Sequence, residues 1–570
     1  MWVFLLKIQD KKQKSDFFLG DYLVAVGNFK TCEIDLYSLL CQMKPLKAQE
    51  IREKRHNFWL SKQHEHLPEA SLIADKDSTA LFNVAGMQPL IPYLAGKKHP
   101  LGTRLFNIQK CVRTVDIDEV GDNSHLTFFE MMGNWSLWEY FKKEAVQRSY
   151  EFLVHVLEFD PRKLAVTVFE GNADAPRDEF TAQAWEEAGI PKERISFLDA
   201  SNNRWSPGPV GPCGSDTEIF YRVGNSEFPP EWSNVATDED NWLEIWNNVF
   251  MEFYRDEKGN LTKLSQHNVD TGMGFERMCK VMQNKESVYE TDLFTPFLEM
   301  LEKNTGLFYT DNKRRFRIIA DHLRTSFMLI NDGLTPSNLG AGYVLRMIIR
   351  RAYYNLFLLK KFSQSELDLF VSKALESFKG LRDFDELTIK RVLLAEIAQF
   401  EKTLANGEKN LNDFLNKLGA QGEKVLWWSQ TFMLYDTYGF PLEITKEIAA
   451  ERGFDVDVEG FQKALEEARE RSRTSGKEFF QKGTDWSKYL EGIPTTIFTG
   501  YDSLELENMK LLKDIQTEDG QRVLIFDKTP FYPEMWGQVW DSGTLILDSG
   551  EKLHLVGTQK VAGVILHFVG

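Results

Sequence analysis

The hydrophobic period changes twice along this chain, which rules out a fold built on one kind of layer. From about 80 to 290, short apolar runs alternate with Gly/Pro-rich turns and helical stretches, as in an α+β domain built on an antiparallel sheet. From about 291 to 480 the period is helical, and Leu393, Leu394, Ile397, Phe400 and Leu404 fall on one face. Residues 467–485 are charged and turn-rich, and from Thr496 strand-like runs take over at 522–526, 545–547 and 564–568. With 570 residues the chain exceeds what one core normally organises. The expected division is an extension of mixed character over 1–42, a sheet domain over 43–290, a helical domain over 291–490, and the start of a β-barrel over 491–570.

A net charge of -17 argues against coating nucleic acid through general phosphate attraction, so any RNA contact must be local. No apolar run approaches the roughly 18 residues a membrane-spanning helix needs, and the opening Met-Trp-Val-Phe-Leu-Leu is too short for a signal peptide's apolar core. The expectation is a cytoplasmic protein without membrane contact. Five scattered cysteines with no CxxC pair suggest reduced thiols, and His64-Glu-His66 reads as a solvated loop.

The chemistry concentrates in KCVRTVDIDEVGDNSHLTFFEMMGNWSLWEYFKKEA (110–145), two strand-like runs joined by an acidic, polar loop. Arg113 lies on the first run, His125 and Phe129 on the second. Two antiparallel strands can present a guanidinium to a phosphate and a ring to a base. Carboxylate activation with ATP places negative charge on the α-phosphorus as pyrophosphate leaves, and a fixed arginine suits that charge. Taken singly, Arg113 reads equally as a surface arginine and Phe129 as a core ring.

Residues 127–145, TFFEMMGNWSLWEYFKKEA, resemble motif 2 of class II aminoacyl-tRNA synthetases, and the alanyl-tRNA synthetase family in particular. Similar matches run in order through LFNVAGMQPLIPYL (81–94), GPCGSDTEIFY (211–221), WLEIWNNVFMEF (242–253), VDTGMGFERM (269–278), TPSNLGAGYVLRMIIRRA (335–352), LYDTYGFPLEIT (434–445) and TPFYPEMWGQVWDSG (529–543). The resemblance implies ATP-dependent activation of L-alanine and its transfer to the 3′ end of tRNA(Ala). It assigns Arg113 to the α-phosphate, Phe129 and His125 to the nucleotide, and Arg277 to the terminal phosphates. Gly272 and Gly274 would let the backbone approach the nucleotide where a helix starts. Asp270 would hold the alanine ammonium, although an aspartate there also reads as a helix N-cap. Met87, Trp205, Val249 and Gly272 would wall the pocket.

The same resemblance implies Mg2+, with Glu218 and Glu244 as the carboxylates on strand-like segments, and no zinc. Full-length relatives edit with a zinc site of HxxxH plus CxxxH pattern, and the ten histidines here contain no HxxxH. The expectation is therefore a ligase without cis editing, as a monomer. In the acceptor stem, an Asn amide and an Asp carboxylate suit the minor groove, and Asn338 and Asp436 match the family's readers there. Arg346, Arg350 and Arg351 would hold phosphates, or else form a solvated helix face.

Trp138, Trp536 and Trp540 stand where relatives usually have glycine, and a bulky residue there should clash or lose a positive φ. Either these tryptophans are tolerated, or the gene reads UGA as glycine; UGG codons at all three positions would eliminate the latter. Val115 also replaces a usual glycine, and Ala341 and Met347 replace usual arginines. Two other readings stay open: a silent tRNA-binding paralogue, expected to lose Arg113, Arg277 or Asp270, and an amino-acid:carrier-protein ligase, which needs no acceptor-stem readers.

Overall fold

A computed structural model describes residues 45–569 except 75–79, 116, 174, 207–209, 224–227, 338–339, 381, 439, 466–486, 491–492, 500–505, 507, 517–521, 532–542, 548 and 562–563. The extension over 1–42, Asn338, Trp536 and Trp540 lie outside the described residues.

The first half is one nine-stranded sheet. Its strands are β1 (Glu65–His66), β2 (Arg104–Val112), β3 (Phe128–Leu137), β4 (Leu164–Phe169), β5 (Ile195–Leu198), β6 (Arg204–Trp205), β7 (Gly211–Arg222), β8 (Trp242–Arg255) and β9 (Leu261–Gly274), in the order β1-β2-β3-β9-β8-β7-β4-β5 with β6 on β7. The run from β2 to β4 is antiparallel throughout, as the short turn-separated apolar runs predict; only β1 and β5 pair in parallel.

Register fixes the faces. Gly133 lies opposite Gly272, and Trp135 opposite Asp270. On the other side of β9, Gly272 lies opposite Asn247 and Asp270 opposite Val249; these in turn face Glu218 and Asp216. Directly opposed residues share a face, so all of these project to one side. The alternate positions Met132, Met273, Trp246 and Ile219 are fully buried on the reverse side, where they supply the core.

Helix α1 (Ala48–Ser61) precedes the sheet and α2 (Phe275–Met282) follows β9 directly. Then come α3 (Lys313–Asn331), α4 (Gly340–Leu359), α5 (Glu386–Gln421), α6 (Trp428–Tyr438) and α7 (Leu442–Glu451). On α5 the expected stripe is the inward face: Leu393, Ile397, Phe400 and Leu404 are buried and Leu394 half-buried. The last strands form an open antiparallel sheet of five, with a separate parallel pair, where the sequence suggested the start of a barrel. Among the described residues no helix is long and apolar enough to cross a membrane.

Three local expectations need correcting. His125 is not on the second strand of the hairpin, because β3 begins only at Phe128; its ring nitrogens face Glu119 at 3.0 Å and Asp122 at 2.6 Å in the connecting loop. His64 is buried rather than solvated, with its ring against Lys62 O (3.1 Å) and Tyr140 Oη (3.0 Å). Trp138 keeps the glycine-like backbone, φ 64°, without a clash, since its indole turns outward and is 67% exposed.

Candidate active site

The paired glycines Gly133 and Gly272 leave the middle of the sheet's open face without side chains of its own. A Cβ on Gly133 would stand 2.3 Å from the Trp135 ring, and one on Gly272 2.8 Å from Met131 Sδ. The indole and the thioether therefore lie flat across the strands in space that only glycine leaves. Gly274 is different: a Cβ there would meet the stem of Arg277 at an ordinary 3.5 Å, and neither Gly272 nor Gly274 has a positive φ.

At one end of this face the indole Nε1 of Trp135 donates to Asp270 Oδ1 at 2.6 Å. Around them Met87, Val249, Leu90, Leu94 and Met251 form one buried cluster, with Trp205 packed against it. Three predicted wall residues and the predicted ammonium ligand thus meet in one place. Burial pushes the Asp270 carboxyl up to about 7, against the single indole hydrogen bond. Gly274, not Asp270, occupies the N-cap of α2, which removes the capping explanation for the aspartate.

Across β8 and β7 lies a second cluster. Arg277, in the first turn of α2, reaches Glu244 Oε2 at 2.8 Å. Asn247 Nδ2 donates to Asp216 Oδ2 at 2.7 Å and to Glu218 Oε1 at 3.3 Å. Burial and the charges of Glu244 and Asp216 push the Glu218 carboxyl up to about 9, with Arg277 opposing. Asp216 is pushed up to about 7, chiefly by burial. Among the described residues no group of three or more His, Cys, Asp or Glu side chains is placed to hold a metal ion by itself; Glu218 and Glu244, the carboxylates expected for Mg2+, lie in this cluster, Glu244 paired with Arg277. Asp216 and Asn247 lie within matched segments, 211–221 and 242–253, but went unremarked, because only their register across β7 and β8 brings them beside Glu218.

At the far end of β3 the Arg113 guanidinium sits 4.9 Å above the Phe129 ring and donates from Nε to Val84 O at 3.2 Å. Both side chains stay accessible, Arg113 exposed and Phe129 half-buried. From Phe129 to Trp135 the strand advances about 20 Å at its usual rise, enough for an extended nucleotide joined to a small amino acid. Val115, beyond Arg113, is 84% exposed, so the lost glycine crowds nothing there.

The helical region departs from expectation. Arg350 and Arg351 are buried, at 6% and 2% exposure, instead of forming an outward basic face. Arg350 Nη2 meets Glu396 Oε1 at 2.6 Å and the half-buried Arg346 meets the same carboxylate at 3.2 Å. Arg351 pairs with Glu447 at 3.4 Å and donates to Ile117 O at 2.6 Å. Unpaired guanidiniums cannot be buried cheaply, and these have found protein carboxylates. Met347 is buried beside them. Asp436 lies on α6, but its side chain, like Asn338, is outside the described residues.

Residues 50–570 match the family model of class II (A) tRNA synthetases. The chain is 45% identical to an alanine–tRNA ligase of Borrelia hermsii over 77% of this chain and 75% of that protein. It is 42% identical to that of Thermotoga petrophila over 92% of this chain and 61% of the relative, so it spans only part of either protein's length. Apo histidyl-tRNA synthetase of S. aureus aligns at a TM-score of 0.26 and 9% identity, over 41% of this chain and 66% of that one, too distant to inform the site. A Gly-floored antiparallel face carrying a buried aspartate at one end and separated arginines along it, together with a family match over nearly its whole length, identifies the chain as a member of the alanyl-tRNA synthetase family of class II.

Proposed function

We propose that this chain activates L-alanine with ATP and transfers it to the 3′ end of tRNA(Ala). The supporting observation is the common face shared by Asp270, Arg277 with Glu244, and the Arg113–Phe129 pair. In the first step an alanine carboxylate oxygen attacks the α-phosphorus of ATP; the new P–O bond forms as the bond to pyrophosphate breaks. Asp270 holds the ammonium, and Met87, Val249 and Trp205 bound the methyl. Arg113 stabilises the equatorial charge at the α-phosphorus, Phe129 supports the adenine, and Arg277 steadies the departing pyrophosphate. Glu218 and Glu244 would hold Mg2+, which supplies neutralisation of the phosphate charge when bound. In the second step a ribose hydroxyl of the terminal adenosine attacks the alanyl carbonyl and AMP departs. Asn338 and Asp436 read the acceptor stem.

The test is alanine-dependent ATP–pyrophosphate exchange, followed by charging of a tRNA(Ala) transcript. Exchange that is no faster with alanine than without amino acid refutes activation. Exchange without charging refutes tRNA as the acceptor and favours a carrier protein.

A further inference from the structure

The backbone of the loop between the two strands of the nucleotide hairpin is held from outside at several points, by Tyr289 and by helices α3 and α4. Arg317 of α3 donates to Asp122 O at 2.8 Å, and Tyr289 Oη donates to His125 O at 2.8 Å. Asp321 of α3 accepts from Thr127 N at 2.8 Å, two residues before Phe129. At the other end of the loop Arg351 of α4 is a further buried grip, its Nη1 donating to Ile117 O at 2.6 Å.

Arg351 is itself oriented from behind. The same Nη1 faces His322 Nε2 at 3.0 Å, and His322 Nδ1 faces Asp321 Oδ2 at 2.8 Å. An arginine only donates, so His322 Nε2 accepts and its proton sits on Nδ1, directed at Asp321. Asp321, His322 and Arg351 are all buried, at 1%, 0% and 2% exposure. The relay therefore starts at Thr127 N, passes through α3 and α4, and returns to the loop at Ile117. One rigid buried chain fixes both ends of the segment that separates Arg113 from Phe129.

We propose that Arg351 is a positioning residue for ATP: through Ile117 and the His322–Asp321 relay it sets the shape of the 117–127 loop, and so the placement of Arg113 against Phe129. It touches neither nucleotide nor RNA. The proposal rests on the reading that Arg113 and Phe129 receive ATP, and it extends that reading into the helical region, which thereby shapes nucleotide binding before any tRNA arrives.

The experiment compares Arg351→Lys with Glu396→Gln in alanine-dependent ATP–pyrophosphate exchange without tRNA. Glu396→Gln weakens an equally buried arginine pair of the same helical body without touching the loop. A lysine cannot serve Ile117, His322 and Glu447 together, so Arg351→Lys is expected to raise KM for ATP about tenfold, the loss of one charged hydrogen bond, with KM for alanine within about twofold. Amide hydrogen exchange over 117–127 should speed up in Arg351→Lys and not in Glu396→Gln. Equal KM changes for ATP and alanine, or the same change in both variants, would mean a merely structural role and overturn the proposal. An unchanged KM for ATP with reduced tRNA charging would overturn it in favour of RNA contact. Should Arg351→Lys fail to fold, Lys446→Ala, which removes the exposed ion pair to Asp118 on the same loop, carries the same readout with a smaller expected rise; no rise would overturn the loop's role. Wild-type chain that lacks exchange altogether would instead refute the function reading, which separates the two failures.

Discussion

Trp135 and Asp270 sit directly opposite each other on neighbouring strands, and the indole N–H donates to the carboxylate at 2.6 Å. Among the described residues, that bond leaves Asp270 Oδ2 without a protein donor, and a substrate ammonium is the natural complement. Asp270→Asn preserves the bond from Trp135 but removes the charge. KM for alanine is expected to rise by about one to two orders of magnitude, matching loss of a charged hydrogen bond, while KM for ATP holds. Steady-state exchange kinetics check it; an unchanged KM for alanine would remove Asp270 from the ammonium site.

The same aspartate gives a pH signature. Burial holds its folded pKa at about 7, whereas an unfolded aspartate ionises near ~3.9. The folded, ligand-free chain therefore binds the extra proton between those values, and its stability falls as pH rises through that window. Alanine binding has the opposite dependence, because it needs the carboxylate: KM for alanine should fall as pH rises toward about 7 and level off above. In Asp270→Asn the alanine slope should vanish and the stability slope should shrink by the Asp270 share, Asp216 and Glu218 keeping theirs, and the ligand-free variant should melt higher than wild type above pH 7. Thermal melts and exchange assays across pH 5 to 8 read the two effects together.

Much of this was legible from the sequence, and the exceptions share a cause. Met87, Val249 and Asp270 come from three separate segments that resembled one family in order, and they meet in one place with Trp205, which lies outside those segments, packed against them. Trp135 went unremarked because an aromatic residue in an alternating strand reads as ordinary core; only its register against Asp270 reveals the polar contact. Arg350 and Arg351 looked like a basic face because their carboxylate partners, Glu396 and Glu447, lie 46 and 96 residues further on. Local pattern reports charge but not pairing across a fold. His125 was misplaced by three residues for a simpler reason: strand ends are set by hydrogen-bond partners, which composition does not encode.

Trp138 offers a stability test. At φ 64° a non-glycine residue carries a cost of about 1 kcal/mol or more, and an indole 67% exposed returns little packing energy. Trp138→Gly should stabilise the chain by ~1 kcal/mol and leave exchange rates unaltered. Denaturant midpoints measure it; destabilisation would mean that the indole is held by contacts that its exposure hides.

The carboxylate cluster leads to the last expectation. Glu218 is pushed up to about 9 by burial and by the like charges of Glu244 and Asp216, so at neutral pH it carries a proton until a cation compensates it. Binding Mg2+ should then release protons, since a coordinating carboxylate must be ionised. Glu218→Gln takes away the carboxylate proposed for the cation and the releasable proton together. The Mg2+ concentration for half-maximal exchange should rise about tenfold or more, and the pH dependence of that concentration below pH 9 should flatten. Titrations of exchange against Mg2+ at several pH values decide it: an unmoved midpoint in Glu218→Gln would place the cation on other ligands and leave Glu218 a buried, protonated partner of Asn247.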